Sequence, residues 1–399
     1  MWESMKKEKK FMKNYKGITL IALVITIVIL IILATVTINA IFGDNGLIKQ
    51  TELAVDYHSN AIEADSEMIE QASDYLEEIL NSTKEEKSEI EIARDSGKFF
   101  DSSQILTDAE GNSVKIPENC KIASDSGIRV EEGIVIENAD GNQLVWIPVG
   151  TYKTTSGEKE NLLARRIFTS EGATIVEDDD YIESVLPGDI IGEGEEDVNA
   201  KIYGEENENS IGHESFENFR ANVDIGFYIG RYEVGYGENR AEGDDVDMNG
   251  ISLRKGENVY NYITRDEAFS IAENWSEIPN GEISLISSYA WDTALNFICQ
   301  NNSYELATTT SNQYGNIETK QLEKLGEYEK DKYCNIYDMI GNLTEWTTEY
   351  AVVDGYNEIV YTARGGNYWD SYFSASIRMV APNNYEASGI GFRIQAYVQ

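Results

Sequence analysis

From Ile18 to Phe42 the chain reads ITLIALVITIVILIILATVTINAIF, twenty-five residues without a charge. At about 1.5 Å per residue this makes roughly 38 Å of helix, enough to cross a hydrocarbon core of ~30 Å. Lys6, Lys7, Lys9, Lys10, Lys13 and Lys16 precede the run and Asp44 follows it. That asymmetry predicts a cytoplasmic N-terminus and a single pass through the cell membrane via residues 18–42. Everything after Asp44 is then extracellular. The run is too long for the apolar core of a secretory signal.

Charge narrows the partners. The 399 residues hold 71 acidic against 32 basic side chains, a net charge of −39. Phosphate binding needs a basic footprint, so nucleic acid is excluded as a partner. Three cysteines (Cys120, Cys299, Cys334) and two histidines (His58, His213) leave no CxxC pair, no zinc spacing and no histidine cluster.

The junction Gly17-Ile18-Thr19-Leu20-Ile21 resembles the prepilin leader of type IV pilins and pseudopilins. The resemblance implies cleavage between Gly17 and Ile18, with residues 1–17 as leader. It also implies pilus or secretion-system subunits as partners. The fifth residue after Gly17 is Ala22, where major pilins carry glutamate, so it points to a minor pilin-like subunit or a simple anchor. Apolar residues recur at Ala61/Ile62, Met68/Ile69, Ala72, Tyr75/Leu76 and Ile79/Leu80, opposite Glu63, Asp65, Glu67, Glu70 and Asp74. This predicts an amphipathic helix over 47–80, either the outer half of a pilin-like helix or a coiled-coil stalk. Residues 18–85 thus read as membrane helix plus stalk, with 86–140 as linker and small β segment.

Beyond residue 99 the pattern changes to short strands. Val114–Ile116, Gly133–Ile136 and Leu144–Ile147 are β-like, with Asp140-Gly141 as a hairpin signal. Residues 177–217 hold fifteen Asp or Glu and one basic residue, Lys201, which predicts a solvated, mobile insertion. Arg265–Trp275 and Ser288–Cys299 have helical spacing. The fold class is α+β: a long N-terminal transmembrane and stalk helix, then an irregular globular head.

Several phrases of the head fall in order: Leu144–Pro148, Phe227–Val234, then Asn335 to Trp346 (NIYDMIGNLTEW), Arg364-Gly365-Gly366-Asn367 and Gly391-Phe392-Arg393. Over about 141–399 they resemble the formylglycine-generating enzyme (sulfatase-modifying factor) family, which implies a C-type-lectin-like fold. Trp346, Tyr368, Trp369 and Phe392 are candidates for its apolar core. Arg364 and Arg393 are candidates to pair with buried carboxylates or backbone carbonyls. The family's oxidase uses two cysteines shortly after RGG to bind copper and substrate. Here those places fall near Asp370 and Ala375, and no cysteine follows Cys334. A thiolate cannot be replaced by alanine as soft-metal ligand or nucleophile, so the resemblance implies a scaffold without that chemistry.

The same resemblance implies a structural Ca²⁺ held by Asp338, the carbonyls of Gly341 and Leu343, and Glu345. Hard oxygen donors in a turn-rich loop suit that ion. Asp245–Gly250 opens like an EF-hand loop, but position twelve is Gly256, with Glu257 one residue late. The segment 367–388 is the candidate ligand site, with Asn367, Tyr368, Asp370, Tyr372, Asn383, Asn384 and Tyr385 as its contacts. Tyrosine offers rigid contact area, and Ser and Asn offer adaptable hydrogen bonds. The segment also resembles the variable region of retroelement-diversified lectin-fold proteins. A diversified face, an ordinary binding face and a polar loop stay open as readings. The expectation is a surface-displayed binding or adhesion protein whose partner is an extracellular ligand or surface receptor. The alternatives are a divergent oxidase or hydrolase on this fold, or a minor pseudopilin.

Overall fold

The computed structural model describes residues 20–42, 73, 75, 87–186, 198–204, 212–278, 280–310, 321–353, 359–369 and 373–398. The chain divides into two units, Met1–Glu85 and Glu86–Gln399. In the first, α1 (Leu20–Phe42) is a 23-residue helix within the uncharged run. Its described side chains, Leu20 to Thr35, are all exposed. Among the described residues no helix is long and apolar enough to cross a membrane, so the span expected over 18–42 is not shown. The Gly17-Ile18 junction lies outside the described residues, as does the expected stripe over 47–80, apart from the helical Ser73 and Tyr75.

The second unit mixes helix and sheet. It starts with α2 (Glu89–Ser96), whose Ser88 Oγ accepts from the Glu91 N–H at 3.2 Å and whose end is Gly97 at φ 60°. Ile90 and Ala93 of α2 join the main apolar core. β1 (Gln104–Thr107) and β2 (Ser113–Ile116) form a hairpin. β3 (Cys120–Ile122), β4 (Val135–Asn138) and β5 (Gln143–Pro148) follow, and the expected turn at Asp140-Gly141 joins the last two. Two hairpins come next, β6 (Gly150–Thr154) with β7 (Gly157–Asn161) and β8 (Arg166–Thr169) with β9 (Gly172–Ile175).

β10 (Ile182–Leu186), β11 (Val198–Gly204) and α3 (His213–Asn222) precede β12 (Gly226–Gly230). β13 (Gly235–Tyr236) pairs with β14 (Ile251–Ser252) and β15 (Asn258–Val259). Then come α4 (Arg265–Asn274), β16 (Gly281–Leu285), α5 (Ser288–Asn301) and α6 (Glu305–Thr308). β17 (Thr344–Val353), β18 (Ile359–Arg364), β19 (Arg378–Ala381), β20 (Ile390–Phe392) and β21 (Ile394–Val398) complete the unit.

Both helices expected from spacing form, and the reason is local. Thr264 and Glu267 make a reciprocal capping box at the start of α4. Ser287 Oγ accepts from the Ala290 N–H at 3.2 Å at the start of α5. Every α5 residue from Ser288 to Cys299 is buried, so α5 runs through the core and does not lie on it. Its polar members are bonded inside: Asn296 donates to Asn161 Oδ1 at 2.8 Å, and Asp292 accepts from two arginines.

Two larger sheets carry the head. One has the order β16-β21-β12-β5-β4-β3, so β3 and β4 extend the sheet begun by the head motifs. The other has the order β10-β11-β17-β18-β19, with β20 parallel to β17. It curls until its ends meet, where Ser184 Oγ of β10 donates to the Arg378 carbonyl of β19 at 3.2 Å. Ala200, Ile202, Ala351, Val353, Val360 and Val380 fill a small core against it. This corrects the expectation for 177–217. The acids of that segment flank two strands, and alternation along β11 buries Ala200 and Ile202. A count of charges misses a period-two pattern this short.

Candidate functional site

Two buried ionic networks frame the candidate site. In the first, left-handed backbone at Asp338 (φ 60°), Gly341 (φ 103°) and Asn342 (φ 53°) folds the loop before β17 into the head. Asn342 Nδ2 donates to Glu233 Oε2 at 2.6 Å, and the Leu343 N–H donates to Glu233 Oε1 at 2.8 Å. Glu345 accepts from Arg393 on Oε1 and from the Trp291 indole N–H on Oε2 at 3.0 Å. Arg393 also donates to the carbonyls of Gly230 (2.8 Å) and Tyr337 (2.9 Å). Three buried carboxylates, Glu233, Asp338 and Glu345, thus surround one guanidinium. Burial pushes the Asp338 carboxyl up to about 7; Arg393 opposes the rise, and Glu345 and Glu323 add to it. Burial, with Asp338 and Glu345 adding, holds Glu233 well above the carboxylate range.

Of the four expected calcium ligands, Asp338 is buried, and both Glu345 oxygens already accept hydrogen bonds. Among the described residues no group of three or more His, Cys, Asp or Glu side chains is placed to hold a metal ion. At the EF-hand-like phrase, Asp247 Oδ1 accepts from the Asn249 N–H at 2.9 Å in a local turn, and Glu257 is bonded to Arg254.

The second network anchors the start of the candidate loop. Asp292 accepts from Arg364 at 2.6 Å on one oxygen and from Arg378 at 2.5 Å on the other. Arg378 Nε also reaches Glu349, which accepts from Thr362 Oγ1 at 2.8 Å. Arg165, 3.8 Å from Glu349, and Arg166 are buried beside them. Four arginines thus face two carboxylates, and main-chain carbonyls solvate the excess: Ile377 and Ser376 for Arg364, Ile202 and Asp180 for Arg165, Ala164 and Leu162 for Arg166. Arg364 fixes the chain just before Gly365 (φ 95°) and Gly366 (φ 73°), where a side chain would be strained.

The candidate contacts divide. Asn367 is inside: its Nδ2 donates to Thr344 Oγ1 at 3.3 Å and its Oδ1 accepts from the Trp369 N–H. Tyr368 is half-buried and its hydroxyl donates to Ser388 Oγ at 3.2 Å, tying the two ends of the segment together. Asn383 is half-buried and donates to Asp266 at 2.8 Å. Asn384 is exposed, and Tyr385 packs on the core edge. Asp370 and Tyr372 lie outside the described residues.

Trp369 is the contact that sequence reasoning assigned to the core. It is 53 % exposed, whereas Trp346 and Phe392 are fully buried. Its ring stacks on Tyr368 at 6.3 Å between centroids. It also lies so near Gly389 that a Cβ there would sit 2.6 Å from the indole nitrogen. The signal was in the sequence: Tyr368-Trp369 follows the double glycine, where no strand pattern buries them.

All three cysteines are free thiols, Cys120 and Cys299 buried and Cys334 half-buried. Burial pushes each thiol up to about 12. Asn302 Nδ2 donates to the Cys334 sulfur at 3.6 Å. Ala375, near one expected place of a family cysteine, is itself fully buried. His213 is the first residue of α3.

Residues 220–396 match the family model of the sulfatase-modifying factor enzyme 1-like domain. The head carries that domain. Its mixed helix and curled sheet are compatible with the match, and the matched region includes Glu233, Glu345, Arg364 and Arg393. No curated protein matches the chain. Several solved structures are similar to it, two of which follow. One is titled Crystal Structure of CarF, at 17 % identity and a TM-score of 0.30, covering 44 % of this chain and 88 % of its own. The other is Treponema denticola variable protein 1, at 14 % identity and a TM-score of 0.30, covering 54 % of this chain and 98 % of its own.

Proposed function

We propose that the chain is a surface-displayed binding or adhesion protein whose sulfatase-modifying factor-like head has lost oxidase chemistry. Its grip is the face between Arg364 and Gly391. The observation that carries this reading is Trp369. A half-exposed indole stacked on Tyr368 and backed by Gly389 is an aromatic anchor of the kind that interfaces use. Asn384 and Glu386 are exposed within the same segment. Asp370 and Tyr372 belong to it by sequence. The thiols favour binding over thiol chemistry, because burial pushes each of them up to about 12 and so favours the neutral form.

The test is capture of the full chain on glycan and cell-surface arrays, wild type against Trp369→Ala and Asn384→Ala. Capture that the two variants retain in full removes the face. Copper-dependent turnover of a peptide thiol by the wild-type chain would establish the oxidase alternative instead.

In this proposal α1 anchors the protein in the cell membrane with the head outside, supported by the uncharged sequence of Leu20–Phe42 and the lysines before it. Mass spectrometry of the mature N-terminus distinguishes cleavage after Gly17, expected of a pilin-like subunit, from a retained anchor. Calcium at Asp338, Gly341, Leu343 and Glu345 is a second reading, favoured by the three buried carboxylates around Arg393. It requires Glu345 to release Arg393 or Trp291. An unchanged melting temperature in EGTA and in millimolar Ca²⁺ removes it.

A further inference from the structure

The sheet β13–β15 and the chain after residue 321 bound a cavity of about 90 Å³, lined by Asn239, Arg240, Asn258, Asn261, Glu323 and Lys324 among others. That is room for roughly three waters, or for one carboxylate group. Arg240 is 8 % exposed. It donates from Nε to the Asn261 carbonyl at 2.9 Å and from Nη1 to the Asp245 carbonyl at 3.0 Å. Its Nη2 donates to the carbonyls of Asp244 (3.3 Å) and Tyr262 (3.1 Å). The guanidinium lies 4.6 Å over the Tyr260 ring.

Every one of those acceptors is a main-chain carbonyl. The buried guanidiniums of Arg364, Arg378 and Arg393 each meet a carboxylate, but among the described residues Arg240 has none within ion-pair distance. Its charge is solvated by carbonyl dipoles with no ion pair, so an arriving counter-charge would be favoured. The side chain of Lys324, which is exposed, adds a second positive charge to the lining, and Glu323 adds one negative. The balance is one positive charge among neutral amides, in a chain whose net charge is −39. A single monoanion with two acceptor oxygens fits that balance better than a doubly charged sulfate or phosphate.

The cavity adjoins the far end of the binding segment. Asn261 Nδ2 donates to the Ser388 carbonyl at 2.9 Å, and the Tyr262 N–H donates to the Ala387 carbonyl at 3.2 Å. We propose that this cavity is a carboxylate subsite, so that the ligand gripped by the 367–388 face is an acidic molecule. The proposal rests on the binding reading and names its ligand class. A sugar acid and a peptide C-terminus share that chemistry.

The experiment uses the full chain in detergent micelles, with acetate as probe, followed by saturation-transfer NMR of the acetate methyl group. A signal is expected that falls at least fivefold in Lys324→Gln and in Arg240→Gln and survives in part in Arg240→Lys. Lys324 is exposed, so its variant keeps the fold even where Arg240→Gln does not. Displacement of acetate by glucuronate but not by N-acetylalanine assigns a sugar acid, and the reverse assigns a peptide terminus. An acetate signal equal in wild type and Lys324→Gln, or displaced by neither competitor, overturns the subsite. Acetate binding without any surface capture overturns the adhesion reading alone, and capture without acetate binding overturns the subsite alone.

Discussion

Arg393 and Glu345 meet through one oxygen: the guanidinium donates from Nε at 2.8 Å and from Nη2 at 2.5 Å to Glu345 Oε1, and both side chains are fully buried. Removing one partner leaves the other buried without this ion pair. Glu345→Ala and Arg393→Met are each expected to cost about 3–5 kcal/mol. The double variant should cost less than the sum of the two, because the second change removes an ion that has already lost this pairing. Urea unfolding followed by near-UV circular dichroism measures this. Additive losses would show that the two side chains act independently.

The six tryptophans offer a paired test of the exposed face. Trp346 is fully buried and its indole donates to the Ile263 carbonyl at 3.0 Å, so Trp346→Ala should cost about 3–5 kcal/mol. Trp369→Ala should change stability by no more than about 0.5 kcal/mol and abolish capture of the surface ligand. Equal destabilisation by the two variants would make Trp369 a structural residue.

Thiol labelling checks the sealed cysteines. At pH 8 a thiol pushed up to about 12 is thiolate only about one part in ten thousand of the time, against about a quarter for an ordinary cysteine. Maleimide should therefore label Cys120, Cys299 and Cys334 at least tenfold more slowly in the native chain than in urea. Rapid native labelling of Cys334 alone would reopen it as a nucleophile.

Acid should act partly through Glu329. Lys255 at 2.6 Å, then Lys332 at 3.1 Å and the Tyr337 hydroxyl at 2.9 Å, hold its carboxyl down to about 2. A carboxyl with a lowered folded value stabilises the fold above its unfolded value of about 4.5. That contribution drains away as pH falls through that value towards 2. Glu329 is more than half exposed, so the loss is small. In Glu329→Gln the acid limb of melting temperature against pH should be slightly flatter than in wild type. An identical limb would show that the cluster contributes nothing.

Much of the head was legible because its signals are local. The Asp140-Gly141 turn, the helical spacing of Arg265–Trp275 and Ser288–Cys299 and the phrases around Glu345, Arg364 and Arg393 each specify structure within a few residues. The candidate site was legible only by segment. Asn367 and Tyr368 share a composition, but one is buried against Thr344 and the other half-exposed, a difference set by β17 packing from across the fold. Arg240 carried no sequence signal, since its partners are carbonyls, which every residue has. The strands at Ile182–Leu186 and Val198–Gly204 were masked by surrounding acids, whose charge says where water lies but not which backbone pairs.

The seam between Ser184 and Arg378 bears on how a minimal reagent could be cut from this head. The stretch most tempting to trim, a dense block of acids, supplies two staves of the curled sheet. Excising it would wet Val360 and Val380 and remove the Ser184 hydrogen bond to the Arg378 carbonyl. A truncated version would thus lose the footing of its own gripping loop, although every residue of that loop was kept.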